Sequence, residues 1–216
     1  MTPVLLPLAV SLGDPAGVGP ELIAAAWARR EELGLPPFVA IGGAGVLHAA
    51  AQARGIDAPI AAVGTLPEAL AAFASALPVL GDADTVYAPG QPDTNGARLA
   101  LASLAQGAAL ARLAEVSGLV TMPIAKAELA KVGFAHPGQT EFVADACGVP
   151  ADDAVMMLAG PSLRAVPLTV HCALADVPRR LSTDLIVRKG CIVAEALRRD
   201  FGIARPRLAA CGLNPH

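Results

Sequence analysis

Residues 5–32, LLPLAVSLGDPAGVGPELIAAAWARREE, contain an apolar run, a glycine-rich turn and a segment of helical composition, in that order. The apolar run over 5–12 has the length of a buried strand, and the Ala-rich segment over 20–32 has the length of a helix. Gly and Pro residues mark the turn between them. A strand that leads through a short turn into a helix is the repeating unit of α/β proteins.

The same alternation continues along the chain, with Gly, Pro or Asp at the joins. Because short and continuously apolar strands need cover on both faces, the pattern predicts an α/β fold with a buried sheet. Strands are predicted at 5–12, 38–41, 58–63, 78–80, 118–122, 155–158, 165–170 and 208–211. Helices are predicted at 20–32, 44–54, 67–74, 96–114, 126–131, 140–147 and 183–200, the last with Ser182 or Thr183 as N-cap. Residues 88–96, APGQPDTNG, are the most linker-like segment and are expected to connect two lobes.

The composition excludes several classes of protein. Of the 216 residues, 54% are hydrophobic, which rules out a mainly disordered chain, and a net charge of -3 does not favour binding to nucleic acid. The longest stretch without Asp, Glu, Lys or Arg, residues 33–53, is interrupted by Gly and Pro and does not predict a membrane span.

The cysteines indicate the compartment. Cys147, Cys172, Cys191 and Cys211 show no C-x-x-C spacing and stand in apolar surroundings, which is typical of free thiols in a reducing environment. No Lys or Arg precedes the first apolar run, as it would in a secretory signal. We therefore expect a cytoplasmic protein.

Three segments carry candidate binding groups. The turn over 13–21 either brings backbone N–H groups to a ligand at a helix N-terminus or is a tight turn capped by Asp14. Lys126, just after a predicted strand, either holds a carboxylate or phosphate or is simply solvated. Gln139 and Thr140 offer donors where a helix begins, although Thr140 also suits an N-cap.

Two histidines follow predicted strands. His171 comes after the strand over 165–170, and His216 comes after the strand over 208–211. If both strands end at one sheet edge, the two imidazoles could share a metal ion, whereas a lone histidine at a strand end is more often structural.

Six motifs in order resemble the family of 4-hydroxythreonine-4-phosphate dehydrogenases of vitamin B6 biosynthesis. They are GDPAGVGPE at 13–21, VTMPIAKAEL at 120–129, HPGQTEFVAD at 136–145, MMLAGPSLRAVPLTVH at 156–171, ADVP at 175–178 and CGLNPH at 211–216. The resemblance runs from one end of the chain to the other, and the set is specific because all six occur in sequence.

The resemblance implies a homodimer with a two-lobed α/β/α fold similar to the isocitrate and isopropylmalate dehydrogenases. The lobes would comprise residues 1–118 and 119–216. It also implies a divalent metal, Zn, Mg or Co, held by three histidines, of which His171 and His216 correspond to two. Gln139 and Thr140 correspond to two substrate contacts of the family. Lys126 joins them as a substrate-binding candidate because of its position after a predicted strand, while no catalytic or cofactor-binding residue is assigned.

The activity implied is NAD- or NADP-linked oxidation of the C3 alcohol of 4-phosphohydroxy-L-threonine. Decarboxylation to 3-amino-2-oxopropyl phosphate follows, on the route to pyridoxal 5'-phosphate. Gln139 replaces the usual His of GHTE, and Ala125 replaces the usual Asn of PINK. These departures leave open a related substrate, such as 4-phosphoerythronate or 4-phosphothreonate.

The last motif bears on the length of the chain. Family members continue well past GLNPH, into a part that holds the third metal histidine and much of the cofactor site. We therefore expect a C-terminally truncated form, with a non-catalytic remnant as the alternative to an active enzyme.

Overall fold

Residues 6–213 are described by a computed structural model, in which the chain forms two compact units, Met1–Cys147 and Gly148–His216. Unit 1 has the predicted α/β alternation. Its elements are β1 (Leu8–Ser11), α1 (Gly19–Ala28), β2 (Phe38–Ile41), α2 (Ala44–Arg54), β3 (Ile60–Val63), α3 (Leu66–Ala72), β4 (Leu77–Leu80), α4 (Thr94–Arg112), β5 (Gly118–Thr121), α5 (Lys126–Lys131) and α6 (Gln139–Ala146).

The five strands of unit 1 form one parallel sheet in the order β3-β4-β2-β1-β5. β1 pairs with β2 on one side and with β5 on the other, so the chain changes direction across the sheet at β1. In open parallel sheets, ligands bind beyond the carboxyl ends of the strands at such a switch point. The turn after β1 and the segment after β5 both lie there.

The three central strands of the sheet, β1, β2 and β4, are largely buried, as their continuously apolar sequences predict, whereas the edge strands β3 and β5 are only partly buried. Val10 and Leu12 pack with Ile23 and Trp27 of α1 on one face, and Ala9 packs with Ile41 and other residues on the opposite face. The alternation follows from the period of two along a strand.

A buried serine fixes α4 against the carboxyl ends of β1 and β2. Ser103 Oγ accepts a hydrogen bond from Leu12 N at 2.8 Å and donates one to Ile41 O at 2.7 Å. Leu12 follows the last paired residue of β1, so the serine satisfies a backbone donor that the sheet leaves free. The contact holds the start of the glycine-rich turn in place.

Unit 2 differs from the sequence prediction. It contains a two-stranded antiparallel pair, β6 (Leu158–Ala159) and β7 (Arg164–Ala165), followed by α7 (Val177–Arg180) and α8 (Thr183–Arg199). The predicted strands over 155–158 and 165–170 are therefore wrong in extent and pairing, and residues 208–211 form no strand. A buried strand needs neighbouring strands and cover, whereas Leu158 and Leu208 are exposed in the described part of unit 2.

The unit boundary lies at residues 147 and 148, whereas the predicted lobes meet at 118 and 119. β5 begins at Gly118 and pairs with β1, which places it in the sheet of unit 1. The lobe division of a two-lobed enzyme stays a prediction. No helix within residues 6–213 combines the length and the apolar character needed to cross a bilayer.

Candidate functional site

The glycine-rich turn after β1 lies directly against the segment after β5. Asp14 N donates a hydrogen bond to Pro123 O at 2.9 Å. Gly13 has a φ of 70°, and a Cβ at this position would lie 2.5 Å from Pro123 O and 2.7 Å from Met122 Cβ. Only glycine accommodates both the backbone conformation and this approach. Gly19 is similarly constrained, since its Cβ would lie 2.5 Å from Leu12 O.

Asp14 organises the turn from within. Its Oδ1 accepts a hydrogen bond from Ala16 N at 2.9 Å, and its backbone oxygen accepts one from Gly17 N. The residue as a whole is only 8% exposed. The interpretation of a tight turn capped by Asp14 therefore describes the local structure, and the turn also faces the carboxyl edge where a ligand would bind.

Lys126 and Gln139 come together beyond the carboxyl end of β5. Gln139 Nε2 donates a hydrogen bond to Met122 O at 2.9 Å, which ties the start of α6 to the residue that follows β5. A Cβ on Gly138 would lie 3.7 Å from Lys126 Nζ and 3.2 Å from Glu141 Oε2, so both charged groups lie close to the start of α6. Sequence reasoning missed the contact of Gln139 with Met122 O, because 17 residues separate the two.

The first turn of α6 presents backbone donors beside Lys126. Gly138 is the N-cap and provides no side-chain hydrogen bond, so Thr140 lies within the first turn and is not the N-cap. Thr140 is exposed, and its hydroxyl is accessible for binding. A helix N-terminus next to an ammonium group favours an anion.

His171 does not follow a strand. It lies on an exposed bend of unit 2 with a φ of 49°, six residues after β7 ends at Ala165. His216 lies outside the described residues, so the structure does not place the two predicted ligands together. Within residues 6–213 there is no group of three or more His, Cys, Asp or Glu side chains positioned to hold a metal ion. One exposed imidazole does not fit a divalent metal on its own.

A cavity of about 400 Å³ lies beside the glycine-rich turn. It is lined by Asp14, Pro15 and Ala16 of the turn, by Val86, Ala88, Gln91 and Pro92, and by Asp93 and Gly96 at the start of α4. The segment 88–96 therefore packs within unit 1, and its proposed role as a connection between two lobes stays a prediction. Composition alone could not show that Gly90 N donates to Ala16 O, at 2.8 Å.

The fold and these segments together define an α/β protein with an open parallel sheet, whose candidate ligand site lies beyond the carboxyl ends of the strands at the switch point. The chain belongs to the family described as "Pyridoxal phosphate biosynthetic protein PdxA", whose sequence profile matches residues 35–216. This family shares the fold of the isocitrate dehydrogenases.

Named relatives and solved structures agree with this assignment. A 4-hydroxythreonine-4-phosphate dehydrogenase of Erythrobacter litoralis is 60% identical over 210 residues, which cover 97% of this chain and 62% of that protein. One from Zymomonas mobilis is 49% identical, with the same coverage of 97% and 62%. The crystal structure of the dehydrogenase from Klebsiella pneumoniae has a TM-score of 0.83 at 28% identity and covers 98% of this chain and 65% of that one. The chain thus spans about 62% of the length of these curated relatives.

Proposed function

We propose that the chain acts in pyridoxal 5'-phosphate biosynthesis, as part of an enzyme that oxidises 4-phosphohydroxy-L-threonine at its C3 alcohol with NAD or NADP. The oxidised product would lose CO2 to give 3-amino-2-oxopropyl phosphate. The observation that carries the proposal is the pairing of Lys126 with the start of α6, beyond the carboxyl end of β5. The shared name of the relatives, a dehydrogenase of a phosphorylated hydroxy amino acid, supports the same substrate.

Lys126, Thr140 and the first backbone N–H groups of α6 would bind an anionic group of this substrate. A phosphate or carboxylate at this point would receive the ammonium charge, a hydroxyl donor and the positive end of the helix dipole. The glycine-rich turn on the other side, held by Asp14 N and Pro123 O, would restrict how the substrate lies.

Gln139 would orient the substrate and would not transfer protons. Its Nε2 donates to Met122 O, so its Oε1 is left as an acceptor for a hydroxyl or ammonium group. An amide cannot titrate, which separates this position from the histidine usual in the family. This is the specific reason to keep 4-phosphoerythronate and 4-phosphothreonate as alternative substrates.

The proposal also includes a divalent metal, a nicotinamide cofactor and a dimeric assembly. His171 and His216 are proposed as ligands of a divalent metal, which supplies Lewis-acid chemistry when bound. NAD or NADP, when bound, would supply the hydride acceptor, and the working form is proposed to be a cytoplasmic homodimer. Metal analysis of His171→Ala tests the metal ligand, with His48→Ala, an exposed histidine of α2, as the matched control. An unchanged metal content in His171→Ala would contradict it.

The substrate site is tested by Lys126→Met, with Lys131→Met at the other end of α5 as the control. Lys131 Nζ pairs with Glu128 at 2.6 Å and is exposed, so its removal should leave binding unchanged. Loss of a charged hydrogen bond costs roughly 1.5–3 kcal/mol, so Lys126→Met should weaken binding of 4-phosphohydroxy-L-threonine about tenfold or more. Calorimetry measures this affinity directly.

Turnover with NAD and NADP on the three candidate substrates then separates the alternatives. A preference for 4-phosphohydroxy-L-threonine supports the proposal. A preference for 4-phosphoerythronate or 4-phosphothreonate would show that the related acid is the substrate. Binding without turnover supports a non-catalytic remnant. If Lys126→Met and the unchanged chain bind 4-phosphohydroxy-L-threonine with equal affinity, the proposed binding site is wrong.

A further inference from the structure

The residues between β4 and α4, 82–93, cross over the glycine-rich turn and are called the strap here. The first half of the strap is attached to the start of α2. Gly43 N donates to Ala83 O at 2.8 Å, and Gly45 N donates to Asp84 Oδ2 at 2.6 Å. The second half is attached to the turn itself, because Gly90 N donates to Ala16 O at 2.8 Å.

The middle of the strap is held by one carboxylate. Tyr87 Oη donates to Glu21 Oε1 at 2.8 Å, and Arg54 Nη2 lies 2.9 Å from the same oxygen. Glu21 belongs to α1 and Arg54 to α2, so a single ion pair joins both helices to the strap. Hydrogen bonds from Arg54 and then from Tyr87 hold the pKa of Glu21 below its usual range. The carboxylate is therefore charged at neutral pH and is a strong acceptor.

The strap forms one wall of the cavity, and Asp14 lies on the opposite side. Val86, Ala88, Gln91 and Pro92 face the cavity from the strap. Within residues 6–213, Asp14 receives a side-chain hydrogen bond at Oδ1, from Ala16 N, and none at Oδ2. A largely buried residue whose carboxylate has one unused oxygen therefore lies beside a space of about 400 Å³, and the strap forms part of the lining of this space.

The strap is also built to move separately from the sheet. Val86 is 79% exposed, and most of its other residues are exposed as well. Gly81, just before the strap, and Gly90 within it have φ values of 94° and 77°, which other residues rarely adopt. Few buried contacts and permissive backbone positions are features of segments that open locally.

We propose that the strap limits access to Asp14 and that Glu21, acting through Tyr87, holds the strap in its place beside the glycine-rich turn. Glu21 is then a positioning residue, since it lies outside the cavity and acts on the cavity wall. The inference involves none of Lys126, Gln139 or Thr140, so it can be tested without the proposed substrate, although the glycine-rich turn belongs to both proposals.

Hydrogen exchange measured by mass spectrometry tests the closure. Glu21→Gln and Tyr87→Phe each remove the attachment, and Tyr87→Phe keeps the aromatic ring in the core. Glu32→Gln is the matched control, because it removes an exposed pair with Arg29 at 2.7 Å, elsewhere near α1. Loss of about 1 kcal/mol should speed exchange of the amides over 82–93 about fivefold in both test variants and leave the control unchanged. Unchanged exchange, or an equal increase across the sheet of unit 1, would overturn the proposal.

Carboxyl labelling with a carbodiimide and glycine ethyl ester measures access to Asp14. The rate at Asp14, divided by the rate at exposed Asp82, should rise in Glu21→Gln and Tyr87→Phe and stay constant in Glu32→Gln. If Asp14 is labelled equally in all forms, the strap does not control access.

The single tyrosine of the chain gives a spectroscopic check on the attachment. Burial, and then the hydrogen bond to Glu21, raise the pKa of Tyr87, while Arg54 lowers it. Replacing Glu21 by Gln removes the acceptor charge, so the phenolate absorbance of Tyr87 should appear at lower pH than in the unchanged chain. An identical titration curve would show that Glu21 does not hold Tyr87.

Discussion

At the scale of single residues, the closest approach in the candidate site is between Gly13 and the segment after β5. Gly13→Ala should lower the free energy of unfolding by about 3 kcal/mol, because the methyl group meets Pro123 O and Met122 Cβ while φ stays positive. Chemical denaturation measures the change. The refolded variant should also lose substrate affinity, since the turn and the β5 segment must move apart.

Gly34→Ala is the control that separates the backbone strain in Gly13→Ala from the steric contact of its methyl group. Gly34 has a φ of 59° with no atom within 4 Å of an added Cβ, so only the backbone strain of about 1 kcal/mol remains. Equal losses in the two variants would mean that the contact of Gly13 with Pro123 contributes nothing.

Sequence reasoning about individual site residues succeeded where the local chain determined the structure. Lys126 begins α5, as predicted, and α6 begins at Gln139, one residue before the predicted start at Thr140. It could not show that Gln139 donates to Met122 O, because 17 residues separate them. It also gave no role to Tyr87, whose partner Glu21 is 66 residues away.

At the scale of elements, helices and strands whose ends are set by local residues are predicted well, and those that depend on distant partners are not. The predicted bounds of β2, α2 and α5 match the structure, because Gly, Pro and charged residues mark their ends. α8 also begins where predicted, with Ser182 Oγ accepting from Leu185 N at 3.1 Å. Capping is a local interaction, so the sequence contains the necessary information.

The strands of unit 2 depend on partners far away in the chain. The apolar run over 165–170 has the composition of a buried strand, yet only Arg164–Ala165 pairs, and its partner is the antiparallel β6. Period and composition indicate that a segment can form a strand, but pairing decides whether it does. The placement of His171 failed for this reason, since it relied on that strand ending beside it.

At the scale of the whole molecule, burial is unevenly divided between the two units. Within residues 148–213, only Val193 and Leu197 are buried, while Leu158, Leu163 and Leu174 are 60%, 70% and 85% exposed. The sheet of unit 1, in contrast, is covered on both faces. Unit 2 therefore has little buried apolar surface to offset the entropy of ordering its chain.

This division predicts unequal protection against hydrogen exchange. In dilute protein, amides over 148–213 should exchange at least tenfold faster than those of β1, β2 and β4, because segments with few buried contacts open at low free energy. The exposed apolar side chains should also promote self-association, so exchange in unit 2 should slow as concentration rises. Leu174→Ser should weaken that concentration dependence, whereas Leu22→Ser, at an exposed position of α1 in unit 1, should not. A chain that stays monomeric by light scattering, with unit 2 as protected as unit 1, would contradict the prediction, because the stability of unit 2 would then come from within its own residues.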